Sequence, residues 1–205
     1  LWDLVHRVRV EFGRQFPNVA IEATDAFCHL DADHQLKNRT LDLVFARPPY
    51  DAGLEVSAPI VHEPIQAVIA DNSPLARAER LSIRDLAGYP LLLWDRHIAP
   101  ALYDRMLELY ARAGVDEPMI PTPGAGPYNH AGLMLVASGT GIYLGYGVPL
   151  TAPQPPSGVA VRPLSDPGAT LERCAVGRRE SAAIVTQFVE TIWQVVPAGR
   201  LRRFA

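Results

Sequence analysis

The sequence predicts an α/β protein built as two small lobes. Helix-period and strand-period segments alternate along the chain, and the alternation continues on both sides of a punctuated turn, DNSPLA at Asp71 to Ala76. No segment repeats another. A chain of 205 residues suits one large core or two of about 100 residues each. Its 48% hydrophobic, 20% charged and 8% aromatic positions belong to a folded globular chain, not to a disordered, collagen-like or coiled-coil one.

The elements follow in order. Leu1, Leu4, Val5, Val8 and Phe12 recur at helical spacing with arginines on the opposite side, and Pro17 ends that helix. Asn18 to Thr24 alternates as a strand, and His29 to Asn38 reads as a polar helix with Leu30 and Leu36 inward. Leu41 to Ala46, LDLVFA, is the apolar run of a strand covered on both faces. Another strand, Pro64 to Ala70, leads to the turn at Asp71, where Pro74 breaks any continuing element and a domain crossing is expected. This order implies parallel, right-handed crossovers.

Beyond the turn, Ser82 and Asp85 form a capping-box pattern for a short helix through Ala87. Leu91 to Trp94 reads as a buried strand. Pro100 to Ala113 is a helix with Leu102, Met106, Leu109 and Ala113 inward, closed by Gly114. Met119 to Thr122 reads as a strand, Tyr128 to Ser138 as a helix stopped at Gly139-Thr140-Gly141, and Ile142 to Gly145 as a strand. Val159 to Leu164 is extended, Thr170 to Arg178 is a strand, and Ser181 to Val196 is a closing amphipathic helix with Ile184, Val185, Phe188, Ile192 and Val195 inward.

Charge and cysteine usage narrow the function. Nineteen basic against 22 acidic side chains leave a formal charge of -3, without the basic excess that holds phosphate backbones, so nucleic-acid binding by this segment alone is not expected. Only Lys37 among the basic residues is lysine; many carboxylate contacts would explain this, and a coding bias toward arginine explains it more simply. Cys28 and Cys174 form no metal spacing or disulfide framework, which fits a reducing, cytoplasmic compartment. Leu1 to Val10, broken by charges, is no signal peptide, and the uncharged stretch from Pro118 to Val161 is too rich in glycine and proline for a membrane helix. The histidines at 6, 29, 34, 62, 97 and 130 have no metal or protease spacing, no serine sits in GxSxG, and the SGTG at Gly139 follows a helix where phosphate loops follow a strand. No catalytic residue, metal site or cofactor is expected.

Six fragments, in this order and spacing, carry a resemblance: EFGRQFPNVAIE from Glu11, LDLVFARPP from Leu41, DNSPLA from Asp71, SIRDLAGYPLL from Ser82, MLVASGTGIYLG from Met134 and VAVRPLSDP from Val159. The chain resembles the effector-binding domain of LysR-type transcriptional regulators over nearly its whole length. The resemblance implies two Rossmann-like lobes of the type 2 periplasmic-binding-protein kind, with a small-molecule effector in the cleft between them. By analogy the crossings fall near Ala70 and Ser165, giving lobe I as 1–69 with 166–205 and lobe II as 70–165. The family's first strand and its N-terminal winged helix-turn-helix have no counterpart here, so DNA is expected to be met only through that absent domain. The resemblance also implies a homodimer or homotetramer and no membrane partner.

Anions bind where helix N-termini and loop amides converge at the carboxyl ends of strands. One such place is the loop at Cys28 and His29, where the family places a polar effector contact; a helix cap with a half-buried thiol is the competing reading. A second is Asp95, Arg96 and His97, between a strand and a helix. A third is Tyr128, Asn129 and His130, where Asn129 can equally be an ordinary cap. Arg47, directly after LDLVFA, can pair with a carboxylate through its planar fork, or with Asp51 or Glu55 at the surface. Tyr146, nearer its strand end than Tyr143, can stack on an aromatic effector, and regulators with similar motifs respond to aromatic acids. A small anionic metabolite is the expected ligand. A solute-binding protein of a transport system, or an α/β enzyme using the same cleft, are the alternatives. A redox pair of Cys28 and Cys174 would not resemble the closely spaced pair of the family's peroxide sensors.

Overall fold

The computed structural model describes residues 2–24, 29–48, 50, 53–116, 118–120, 130–145 and 155–196. The chain divides into two compact units, Leu1–His62 with Glu172–Ala205, and Glu63–Leu171.

In the first unit, helix α1 (Trp2–Gln15) ends before Pro17 as expected. It packs on the C-terminal helix α6 (Ala183–Val195) through Val8 and Phe12, and Phe12 meets Phe188 edge-on with ring centroids 5.1 Å apart. Arg7 donates to Val195 O at 3.0 Å and Gln15 to Gln194 at 2.9 Å, tying the two helices at their ends. Helix α2 (His29–Lys37) buries Leu36 and leads to strand β1 (Leu43–Ala46). Short strands β2 (Leu54–Val56) and β3 (Val61–Pro64) follow, and all three pair with the nine-residue β7 (Thr170–Arg178), β1 and β2 antiparallel to it.

The alternation in β1 works as period-two chemistry dictates. Leu43 and Phe45 pack with Val8, Ile60, Ala175 and Ile192, while Val44 and Ala46 pack with Leu36, Leu54, Cys174 and Val176. Both faces are covered, yet β1 residues stay half-buried. The segment Asn18–Thr24 is not a strand: Asn18 lies in a turn, and the residues after it pair with no described strand.

In the second unit, β4 (Gln66–Ala70) is the centre of a sheet ordered β5-β4-β6, antiparallel to β5 (Tyr143–Gly145) and to β6 (Val159–Pro163). The strand assigned to the end of lobe I forms the core of the second unit, and Ile65 N–H donates to Ala169 O at 2.9 Å, so Ala169 and Leu171 join the same core. The compact units divide at His62/Glu63 and Leu171/Glu172. The β1–β7, β2–β7, β4–β5 and β4–β6 ladders are antiparallel, and among the described residues the bridges Leu81–Leu164 and Leu91–Ile142 are parallel, as helix-strand alternation leads one to expect. Leu91 to Trp94 is buried as expected but carries only that one bridge and no ladder.

Helix α3 (Ile83–Leu86) starts with the capping box that Ser82 and Asp85 predict, and Asp166 accepts from Ile83 N–H at 2.9 Å. The Ser82 amide and hydroxyl hold the Asp85 carboxyl below the usual carboxylate range. A lowered folded-state value means that this stabilisation is complete above the unfolded carboxylate pKa of about 4 and is lost as pH falls through the folded value. Ser82→Ala should cost about 0.5–2 kcal/mol at neutral pH. Asp85→Asn should flatten the acid limb of a stability-against-pH curve measured by urea unfolding; an unchanged limb would assign it to other carboxylates.

Helix α4 (Pro100–Arg112) opens on a proline and buries Leu102, Met106, Leu109 and Tyr110. Gly114, at φ 77°, follows it in the left-handed region. Helix α5 (His130–Ala137) ends before Gly139, also at φ 77°, so residues 128 and 129 of the expected helix lie outside the described residues, as do Pro121 and Thr122 of the expected strand. Met119 O accepts from Leu91 N–H at 2.7 Å.

The arginines serve the main chain. Arg7, Arg80, Arg84, Arg105, Arg162, Arg173 and Arg178 each donate to a backbone carbonyl, and Arg162 alone bonds the carbonyls of Ala76, Ala78 and Val161. Arg14, Arg96, Arg105, Arg112 and Arg178 also pair with carboxylates.

Candidate functional site

In the first unit, Arg47 is the first residue after β1 and is half-buried. The last registered pair of β1 with β7 is Ala46–Cys174, so Arg47 and Arg173 each lie one residue beyond it, and two guanidinium groups share one end of the ladder. Arg173 donates to Phe45 O at 3.1 Å. Near this end His62 Nδ1 stands 4.0 Å from the Glu172 carboxylate. Two arginines and a histidine–carboxylate pair thus stand at this end of the ladder.

The neighbouring thiol is no reactive group. Cys174 is buried against Tyr50, and burial pushes both the thiol and the phenol up, so each stays protonated at neutral pH. Cys28 lies outside the described residues. His29 is the first residue of α2, and the opposite end of that helix is anchored by Arg178, which donates to Leu36 O at 2.9 Å, Leu41 O at 2.6 Å and the Asp42 carboxylate at 2.8 Å.

In the second unit, Leu91 and Ile142 bridge in parallel, so Asp95 and the carboxyl end of β5 lie at the same end of the sheet. Asp95 occupies the cap of a single 3-10 turn, Arg96–Ile98, but its side chain makes no capping hydrogen bond. Arg96 is committed to a protein carboxylate: its Nε and a terminal nitrogen reach Asp104 at 2.8 and 2.6 Å, which holds that carboxyl below the usual range. His97 is exposed. His130 opens α5, while Tyr128, Asn129 and Tyr146 lie outside the described residues. Tyr143 is buried at 6% exposure, a core residue.

The sequence reading passes over Gln66. It opens β4 beside Gly145 and Pro163, with its side-chain oxygen buried and without a hydrogen-bond partner. The available signal is a polar residue at the head of an otherwise apolar strand, QAVIA. Among the described residues no group of three metal-ligating side chains is present, and no helix is long and apolar enough to cross a membrane.

The profile of the LysR substrate binding domain matches residues 3–197. The chain belongs to this family. The LysR fold is borne out in space: the effector-binding domain of BenM with its effector benzoate superposes with a TM-score of 0.73 at 21% identity, covering 94% of this chain and 85% of that one. CbnR, a LysR family transcriptional regulator, gives 0.73 at 19% identity, covering 94% and 65%. Among curated proteins, the uncharacterized HTH-type transcriptional regulator YnfL of Escherichia coli strain K12 is 31% identical over 101 residues, 49% of this chain and 34% of that protein. The HTH-type transcriptional regulator BudR of Raoultella terrigena is 26% identical over 107 residues, 52% and 37% respectively. The matched segments thus span about a third of those curated relatives. LysR substrate-binding domains are binding modules, and these relatives are named as regulators, not as enzymes.

Proposed function

We propose that this domain is the effector-sensing part of a bacterial LysR-type transcriptional regulator, acting in the cytoplasm as a homo-oligomer. It takes a small anionic metabolite, an aromatic acid in the first instance, and DNA is met by a winged helix-turn-helix outside this chain. The observation that carries this reading is the family match over residues 3–197. The carboxylate chemistry is supported by the two guanidinium groups at the end of the β1–β7 ladder and by the benzoate of BenM. The ligand acts by population shift: it binds one state of the domain better than another and transmits only that difference.

Calorimetric titration with benzoate and other small carboxylates tests it. Arg47→Ala should weaken an acid that binds by about 1.5–3 kcal/mol, the value of a charged hydrogen bond. Undiminished affinity in that variant would remove Arg47 from the site, and a ligand set with no anion in it would remove the carboxylate reading.

A further inference from the structure

The end of the second sheet carries a polar atom that the fold leaves unsatisfied. The Gln66 side-chain oxygen is buried and has no hydrogen-bond partner. Its strand neighbours explain why. On one side stands Gly145, which has no side chain, and on the other Pro163, which has no N–H and whose carbonyl already accepts from Leu81. The next residue of the segment before β4, Ile65, spends its N–H on Ala169. Among the described residues none donates to this oxygen.

A buried acceptor without a donor carries its full desolvation cost, and native proteins rarely keep one without a use for it. An apolar residue would continue the run of Ala67, Val68, Ile69 and Ala70, all buried, without that cost. The local conflict therefore sits where function is expected to override stability. Its place in the fold agrees: β4 is antiparallel to β5, so Gln66 lies at the carboxyl end of β5, the same end as Asp95. In α/β sheets that end is where ligands bind.

We propose that Gln66 is a specificity-determining residue whose side-chain carbonyl accepts a hydrogen bond from the ligand. This rests on the effector-binding reading above and narrows it: the ligand carries a hydroxyl or N–H donor, so hydroxy acids are preferred to their plain counterparts.

The test pairs the intact domain with Gln66→Met, which keeps the side-chain length and removes the amide. Calorimetry uses benzoate, its three hydroxy isomers and phenol as probes, and thermal unfolding is followed without ligand. At least one hydroxybenzoate should bind the parent about tenfold tighter than benzoate. Gln66→Met should erase that advantage and raise the ligand-free melting temperature by roughly 2–4 °C. A lower melting temperature would assign the amide to the fold and overturn the proposal. So would benzoate and all its hydroxy isomers binding alike, an outcome that leaves the carboxylate reading standing. Phenol bound through Gln66 with benzoate ignored would do the reverse, upholding Gln66 and removing the carboxylate. Silence from every probe overturns both.

Discussion

Trp94→Ala should lower the unfolding free energy by about 3–5 kcal/mol, the range for removing a large buried aromatic side chain. Trp94 is 1% exposed and lies in the core of the second unit, among Leu91, Leu92, Leu93, Leu102 and Met106. The four residues from Leu91 to Trp94 are all buried, so surrounding side chains have little freedom to fill the space. Its indole N–H donates to Ala99 O at 3.5 Å, a long contact that adds little, so Trp94→Phe should recover most of the loss. Urea unfolding of the three proteins checks this. If the phenylalanine variant is as unstable as the alanine one, the hydrogen bond and not the packed volume dominates.

Gly141→Ala should be the most damaging single methyl in the described chain. A Cβ at Gly141 would stand 2.6 Å from Pro90 O and 2.9 Å from Leu92 Cγ, and the first of these is backbone that already accepts from Ile142 N–H at 2.7 Å. Either the bridge between Leu91 and Ile142 opens or the core shifts, at a cost of about 1–3 kcal/mol or more. Two other glycines separate the causes. At Gly88 an added Cβ meets nothing within 4 Å and the backbone is ordinary, so alanine there should be near neutral. Gly139→Ala meets no atom either but imposes a left-handed conformation at φ 77°, costing about 1–2 kcal/mol. Thermal unfolding should rank the three variants Gly141, Gly139, Gly88 in falling order of damage, and a Gly141 variant no worse than that at Gly88 would contradict the packing.

Local signals made the helices legible. Pro17 and Gly114 close α1 and α4 where the pattern puts them, and the Ser82–Asp85 capping box is present in full. Strands β1 and β4 were legible as apolar runs, and β5, β6 and β7 lie where the sequence reads extended segments. Strands β2 and β3 have three and four residues and too little sequence to show a period. Asn18 to Thr24 has the alternation but no partner, and pairing is a non-local property. The same limit hid the place of β4: its neighbours β5 and β6 come more than seventy residues later, so nothing near Gln66 says that it heads the central strand of the second sheet.

The candidate site divides in the same way. Arg47 was legible from its place after an apolar run. The partner that occupies Arg96 was not, because Asp104 lies a turn further on, across Ala99 and Pro100. Gln66 was missed because an unsatisfied oxygen is defined by what surrounds it, and those neighbours come from two other strands.

The use of arginine against backbone carbonyls has a consequence for chemical labelling. Dicarbonyl reagents that modify guanidinium groups would attack the ties from Arg178 to the end of α2, from Arg162 to the turn after β4 and from Arg105 to Gly168, each a part of the scaffold. Such a reagent dismantles supporting loops as it reaches Arg47, and loss of ligand uptake after treatment registers a collapsing frame. In this protein arginine modification is a probe of structural integrity.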